Sequence, residues 1–290
     1  MITSVKSNRF WHIGLFAGVL LAIYLLNASE LAVFFLPDKD KVKYYLENNR
    51  LSDAVREVEA MPFDTTTASK NDIKRFNEIQ KHLSEAKLQQ KSNLLAERGI
   101  LRLDSGMWMH NTVGLMDIDM ALKIDPESSR AHSAKARYFT ELQIAVTGKP
   151  GGAEFTNCEE ELTEAIKLSD NNRCDLLILR AMNSLDQAYY ISPWHVSDEI
   201  RASTESKYRA EAVKDLHLAL AQADKKPDKW KEMYKAEIFF LLKDDKNYTE
   251  QLDIALAKGC TIEDFMNEFQ KNTLHPNVHP FNLVFRQRLE

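Results

Sequence analysis

Four times in this chain an Ala followed by an aliphatic residue closes an apolar stretch of helical spacing: Ala121-Leu122, Ala165-Ile166, Ala219-Leu220 and Ala255-Leu256. A large apolar residue stands three positions before each Ala, at Ile118, Leu162, Leu216 and Leu252. After the first three pairs a small residue recurs 15, 16 and 17 positions on, at Ala136, Ala181 and Ala236. Small residues at fixed places let helix backbones approach closely, and the large neighbours fill the space beside them. Repetition of that arrangement predicts stacked helix pairs, each too small to bury a core alone. Pro126, just beyond the first Ala-Leu, marks a helix end rather than the start of a site.

The rest of the chain agrees with an all-α reading. No segment alternates with a period of two, and no strand–helix–strand spacing occurs. Only 9 Gly and 8 Pro fall in 290 residues, so loops are expected to be short. A short helical pair is predicted over 41–48 and 52–60, with Asn48-Asn49-Arg50 as its turn. Pro62 and the Thr65–Thr67 run then break the pattern. From Asn71 to Asp104 helical spacing resumes through Ile73, Phe76, Ile79 and Leu83 to Leu95, Ile100 and Leu103, and the polar stretch 87–93 divides it into two helices.

The amino-terminal run from Ile13 to Leu36 would extend about 36 Å as a helix, enough to cross a bilayer core of about 30 Å. Lys6 and Arg9 precede it, and Trp11 stands where an interfacial anchor belongs. Glu30 interrupts the apolar character, so the span is read either as 10–26 or as 13–36 with Glu30 snorkelling. A cleaved signal peptide is the rival, but 27–29 gives no clean small-x-small site. The expectation is an uncleaved single-pass anchor over 13–36 after a short basic segment, 1–12, with the helical domain on the extracytoplasmic side.

Together these features resemble the tetratricopeptide repeat family, whose unit is a helix pair of about 34 residues with small residues near the middle of both helices. Residues 228–261 match best, through Ala236, Phe239, Leu252 and Ala255. Unit 92–127 carries Gly99, Gly114, Ala121 and Pro126; units 129–170 and 173–223 keep their Ala positions but carry insertions near 144–157 and 186–206. The resemblance implies a right-handed solenoid of stacked antiparallel helix pairs over 92–261. Before it comes a helical region, 38–91, with a degenerate first copy at 39–61; after it comes a carboxyl-terminal cap, 262–290. It also implies a concave groove lined by the first helix of each pair. That lining would take Ser133, Arg137, Thr140 and Glu141, then Asp175, Ile178, Met182 and Asp186, then Met233, Glu237 and Phe240. It lacks the dense Lys/Asn set with which some members hold a peptide's terminal carboxylate.

Few residues suggest chemistry. The three cysteines, Cys158, Cys174 and Cys260, have no zinc spacing and read as buried thiols, with a 158–174 disulfide left open. The segment TGKPGG (147–152) lacks the P-loop spacing and a preceding strand, so it reads as a turn. His275 and His279 lie among prolines with no acidic partner and read as part of the cap. Tyr189, Tyr190 and Trp194 in the 186–206 insertion either anchor a partner or pack back on the repeats. A net charge of -5 without a basic stripe excludes the footprint of a nucleic-acid binder.

The expected function is therefore a membrane-tethered, non-catalytic scaffold without cofactor or metal. It would bind a peptide or helical segment of a partner protein, with Arg137, Glu141, Asp175, Met182, Asp186, Glu237, Tyr189, Tyr190 and Trp194 as candidate contacts. The alternative is a small-ligand-binding or enzymatic helical domain with its site at the 186–206 insertion.

Overall fold

A computed structural model describes residues 37–61, 63, 68–105, 108–147, 152–170, 173–190 and 197–273. Among them every regular element is helical, and no strand occurs. The chain divides into two compact units, residues 1–62 and 63–290. No helix among the described residues is long and apolar enough to cross a membrane. The segment expected to do so, 13–36, lies outside them, as do Gly148–Gly151, Trp194, His275 and His279.

The first unit contributes one hairpin, α1 (Asp38–Glu47) and α2 (Leu51–Ala60). Pro37 precedes α1, and Asp38 and Asp40 put negative charge in its first turn, where the helix dipole favours it. Asn49 makes the reversal with φ of 56°, a left-handed conformation that Asn tolerates. Val42 and Tyr45 of α1 and Ala54, Val55 and Val58 of α2 are buried. The Arg50 guanidinium lies 4.8 Å from the Tyr45 ring centre.

The second unit opens with α3 (Lys70–Glu85), set by a reciprocal cap: the Ser69 hydroxyl accepts from the Asp72 amide at 3.1 Å while the Asp72 carboxylate accepts from the Ser69 amide at 3.2 Å. Eight helices follow as four hairpins: α4 (Lys91–Ser105) with α5 (Trp108–Ile124), α6 (Ser129–Thr147) with α7 (Gly152–Leu168), α8 (Arg173–Tyr190) with α9 (Asp198–Ala223), and α10 (Lys231–Leu241) with α11 (Asp245–Ala257). Each hairpin packs on the next, α5 on α6, α7 on α8 and α9 on α10, and α12 (Ile262–Thr273) ends the described chain. The insertions near 144–157 and 186–206 are largely absorbed as extra helical turns: α6 has 19 residues and α9 has 26.

The cross-helix contacts make each hairpin antiparallel, because a step forward on one helix meets a step back on the other. In the first hairpin Ser92 meets Ala121, Arg98 and Arg102 meet Asp117, and Gly99 meets Gly114. A Cβ added at Gly99 would stand 2.7 Å from the Gly114 carbonyl oxygen, and one at Gly114 would stand 2.8 Å from the Gly99 oxygen. Backbone meets backbone there, so only glycine fits.

A polar device recurs in three hairpins. At the start of the first helix a hydroxyl or thiol donates to the carbonyl of the repeated Ala on the second. Ser92 reaches Ala121 at 3.0 Å, Ser129 reaches Ala165 at 2.8 Å, and Cys174 reaches Ala219 at 3.4 Å. Six residues on, a base pairs with an acid four residues before that Ala: Arg98 with Asp117 at 2.7 Å, Lys135 with Glu161 at 3.5 Å, and Arg180 with Asp215 at 2.7 Å. The first copy is completely buried, and Arg102 adds a second guanidinium to Asp117 at 2.8 Å. Desolvation, opposed by Asp117, draws the Arg102 guanidinium down to about 10. In the fourth hairpin Lys229 holds the first position and Gln251 the acidic one, and Lys235 turns instead to Asp224 at 2.8 Å.

Candidate interaction surface

The first helices of the second, third and fourth hairpins, α6, α8 and α10, carry most of the residues expected to line a groove. The structure buries them: Ser133 and Arg137 are 2% exposed, and Asp175, Ile178, Met233 and Glu237 are fully buried. Met182 and Phe240 are half-buried and pack against the core, whereas Asp186 is exposed. The backbone of Glu141 belongs to α6 and that of Tyr189 and Tyr190 to the end of α8; their side chains, like all of Trp194, lie outside the described part.

An open groove is not what these helices present, because α12 packs on α8 and α6. Residues 262–273 form an amphipathic helix with Phe265 and Phe269 four apart on its buried side and Glu263, Asp264 and Asn267 exposed. The Thr261 hydroxyl caps it by accepting from the Asp264 amide at 3.0 Å. Phe265 meets the Tyr234 ring edge-on at 4.9 Å and Trp230 at 6.4 Å, and Phe269 meets Tyr234 at 6.3 Å. Burying two phenylalanines stabilises this docking by about 1.5–3 kcal/mol each. The turn from α11 to α12 uses Gly259 at φ 78°, with open space around it, and the Cys260 thiol donates to the Lys229 carbonyl.

Under the aromatic contacts lies a buried polar knot. The Asp175 carboxylate of α8 accepts from the Tyr234 hydroxyl of α10 and from the Lys226 ammonium. That ammonium also stands 4.5 Å from the Tyr234 ring centre. Burial pushes the Asp175 carboxyl up against the opposing pull of Lys226 and Tyr234. Burial, with the Asp175 charge nearby, pushes the Glu237 carboxyl well above the usual carboxylate range. The knot joins the third and fourth hairpins directly below the ring that α12 rests on.

Three other places carry chemically suggestive groups. His132 and Glu161 form a 2.6 Å pair, but the second ring nitrogen faces the Pro126 carbonyl at 3.0 Å. Two acceptors on one imidazole fit the doubly protonated form, and the Glu161 hydrogen bond raises its pKa. Neither nitrogen is left to take a substrate proton, so the pair ties α6 to α7. None of the three thiols is in a disulfide and all are buried, and burial raises those of Cys174 and Cys260, the reverse of an activated nucleophile. A polar cleft of about 350 Å³ opens near the starts of α4, α6 and α8, beside Asn93, Asp125, Ser128, Ser129 and Asp170. Its hydroxyls are engaged: Ser129 bonds the Ala165 carbonyl, and Ser128 bonds Asn93 and caps the Ala131 amide.

Among the described residues no group of three His, Cys, Asp or Glu side chains is placed to hold a metal ion. Exposed apolar side chains occur on second helices, Ile200, Val213 and Leu218 on α9 and Ile254 and Leu256 on α11. The helical spacing used to find the core did not single out the first four, and it placed Leu256, in the fourth Ala-aliphatic pair, at a position that the structure leaves exposed. No protein-family model matches the chain, and no curated protein or solved structure matches it either.

Proposed function

We propose that this chain is a tetratricopeptide-like solenoid, held at a membrane by its 13–36 segment, that serves as a non-catalytic scaffold for a partner polypeptide. The observation that carries the reading is the polar device repeated in the first three hairpins. A hairpin whose internal chemistry recurs at matched positions, though its length varies, is the mark of an array built by stacking. Such arrays present one set of helices as a preformed surface, on which a helical or extended segment docks with little ordering cost. The exposed Asp186 and half-buried Met182 on α8 mark where that surface meets solvent. The domain faces the extracytoplasmic side in this reading.

The test is photo-crosslinking of the full-length chain in native membranes from position 186, with position 214 on the exposed face of α9 as the control. The expected result is one stoichiometric polypeptide linked from 186 and absent from 214, in membranes that retain the chain through alkaline washing. A small molecule retained in place of any polypeptide, or a chain washed from the membrane, overturns the corresponding half of the reading.

A further inference from the structure

The path of α12 sets it apart from the rest of the array. A further hairpin would continue beyond α11, but α12 turns back at Gly259 and lays its backbone against α8 and α6, one and two hairpins earlier. It rests on the first-helix face, the surface on which the scaffold reading places a partner, and this inference depends on that reading. The first three of these hairpins are closed by hydrogen bonds and ion pairs, whereas α12 presents two rings and an acid. Phe265 and Phe269 sit on Tyr234 and Trp230, and Asp264 faces Lys229 at 3.8 Å with both side chains half exposed.

We propose that the face formed by α6, α8 and α10 is a receptor for an amphipathic helix, and that α12 is its resident, replaceable occupant. The partner it fits is a helix with two aromatic residues four positions apart and an acidic residue just before the first, the pattern of Asp264, Phe265 and Phe269. The rings enter the aromatic floor of Trp230 and Tyr234, and the acid meets Lys229. The residues between Lys258 and Thr261, with their exposed glycine, are the hinge on which α12 leaves.

The probe is a synthetic peptide of residues 259–273, titrated into the full-length chain in detergent micelles, alongside the same peptide with Phe265→Ala and Phe269→Ala. Two protein variants accompany the wild type: Phe265→Ala/Phe269→Ala, which frees the face, and the milder Phe269→Leu. The expected result is binding by the double variant at least about tenfold tighter than by wild type, with Phe269→Leu between them and the altered peptide binding none. If the double variant loses its helical signal, the comparison of Phe269→Leu with wild type decides alone, and equal affinity there overturns the proposal. Concentration-dependent dimers of the wild type that exclude the peptide overturn it in favour of exchange of α12 between copies. Peptide binding without a crosslinked partner in membranes leaves this receptor standing and removes the scaffold reading. A crosslinked partner that binds wild type and both variants equally does the reverse.

Discussion

The first and fourth hairpins solve the same packing problem with different chemistry. In α4/α5, glycine meets glycine, and two arginines close on one fully buried aspartate. In α10/α11 the corresponding positions hold Ala236, Lys229, Lys235 and Gln251, and the cohesion comes from Tyr234, Phe240 and Tyr248. The first hairpin has α3 on one side and α6 on the other; the fourth has only α9 before it and turns its first helix toward α12. A buried ion pair in an internal hairpin fixes register, because any slip strands a charge in a dry interior. In the fourth hairpin a set of rings carries α12 instead. The difference separates a framework from a docking floor.

The comparison breaks first at Asp117. Replacing it with Ala leaves the Arg98 and Arg102 guanidiniums buried without their carboxylate, and a loss of about 3–5 kcal/mol is expected in urea unfolding followed by circular dichroism. Gln251→Ala, at the same place in the fourth hairpin, is expected to cost under about 0.5 kcal/mol. Gly99→Ala comes next. The added methyl meets a backbone oxygen that cannot rotate away, so about 1–3 kcal/mol is lost and the unfolding midpoint falls. Ser92→Ala and Ser129→Ala follow, each removing the donor to a repeated-Ala carbonyl, at about 1–2 kcal/mol in the same assay.

The smallest effect depends on pH. The folded pKa of His132 is raised, chiefly by its hydrogen bond to Glu161. Below the ordinary histidine value of about 6.5 the imidazole is protonated folded and unfolded, and the pair contributes fully. As pH rises through the folded value that contribution is lost. His132→Gln is therefore expected to cost up to about 1 kcal/mol near pH 6 and less near pH 8.5, read as urea midpoints at the two values. A cost that grows with pH would mean that the imidazole is neutral in its bond to Glu161.

Much of the helical framework was legible because packing leaves a period in the sequence. The small residues at 99, 114, 121, 136, 181 and 236 mark helix contacts, and all six are buried. The polar device was not legible, since its positions keep a chemistry and not a residue: Ser, Ser, Cys; Arg, Lys, Arg; Asp, Glu, Asp. Identity-based comparison passes over such substitutions, although a hydroxyl and a thiol, or two acids, do the same thing in a fixed geometry. The insertions near 144–157 and 186–206 stood out only as departures from the repeat length, because a helix extension at one end of a hairpin needs no new core and leaves no period of its own. The groove expected over Arg137, Asp175 and Glu237 is not open because all three side chains are buried, Asp175 against Tyr234 and Lys226, and no local spacing states which face a later element will cover.

A set of double-mutant cycles in the full-length chain tests the central claim most directly, with Ala substitutions at Arg98/Asp117, Lys135/Glu161, Arg180/Asp215 and Lys235/Gln251. Repeated hairpins closed by one polar device predict coupling of about 1–3 kcal/mol for the first three pairs, strongest for the buried Arg98/Asp117, and about zero for the fourth. Coupling near zero at all four, or equal coupling at the fourth, would contradict the repeat as the mechanical unit and take away the main support for the scaffold.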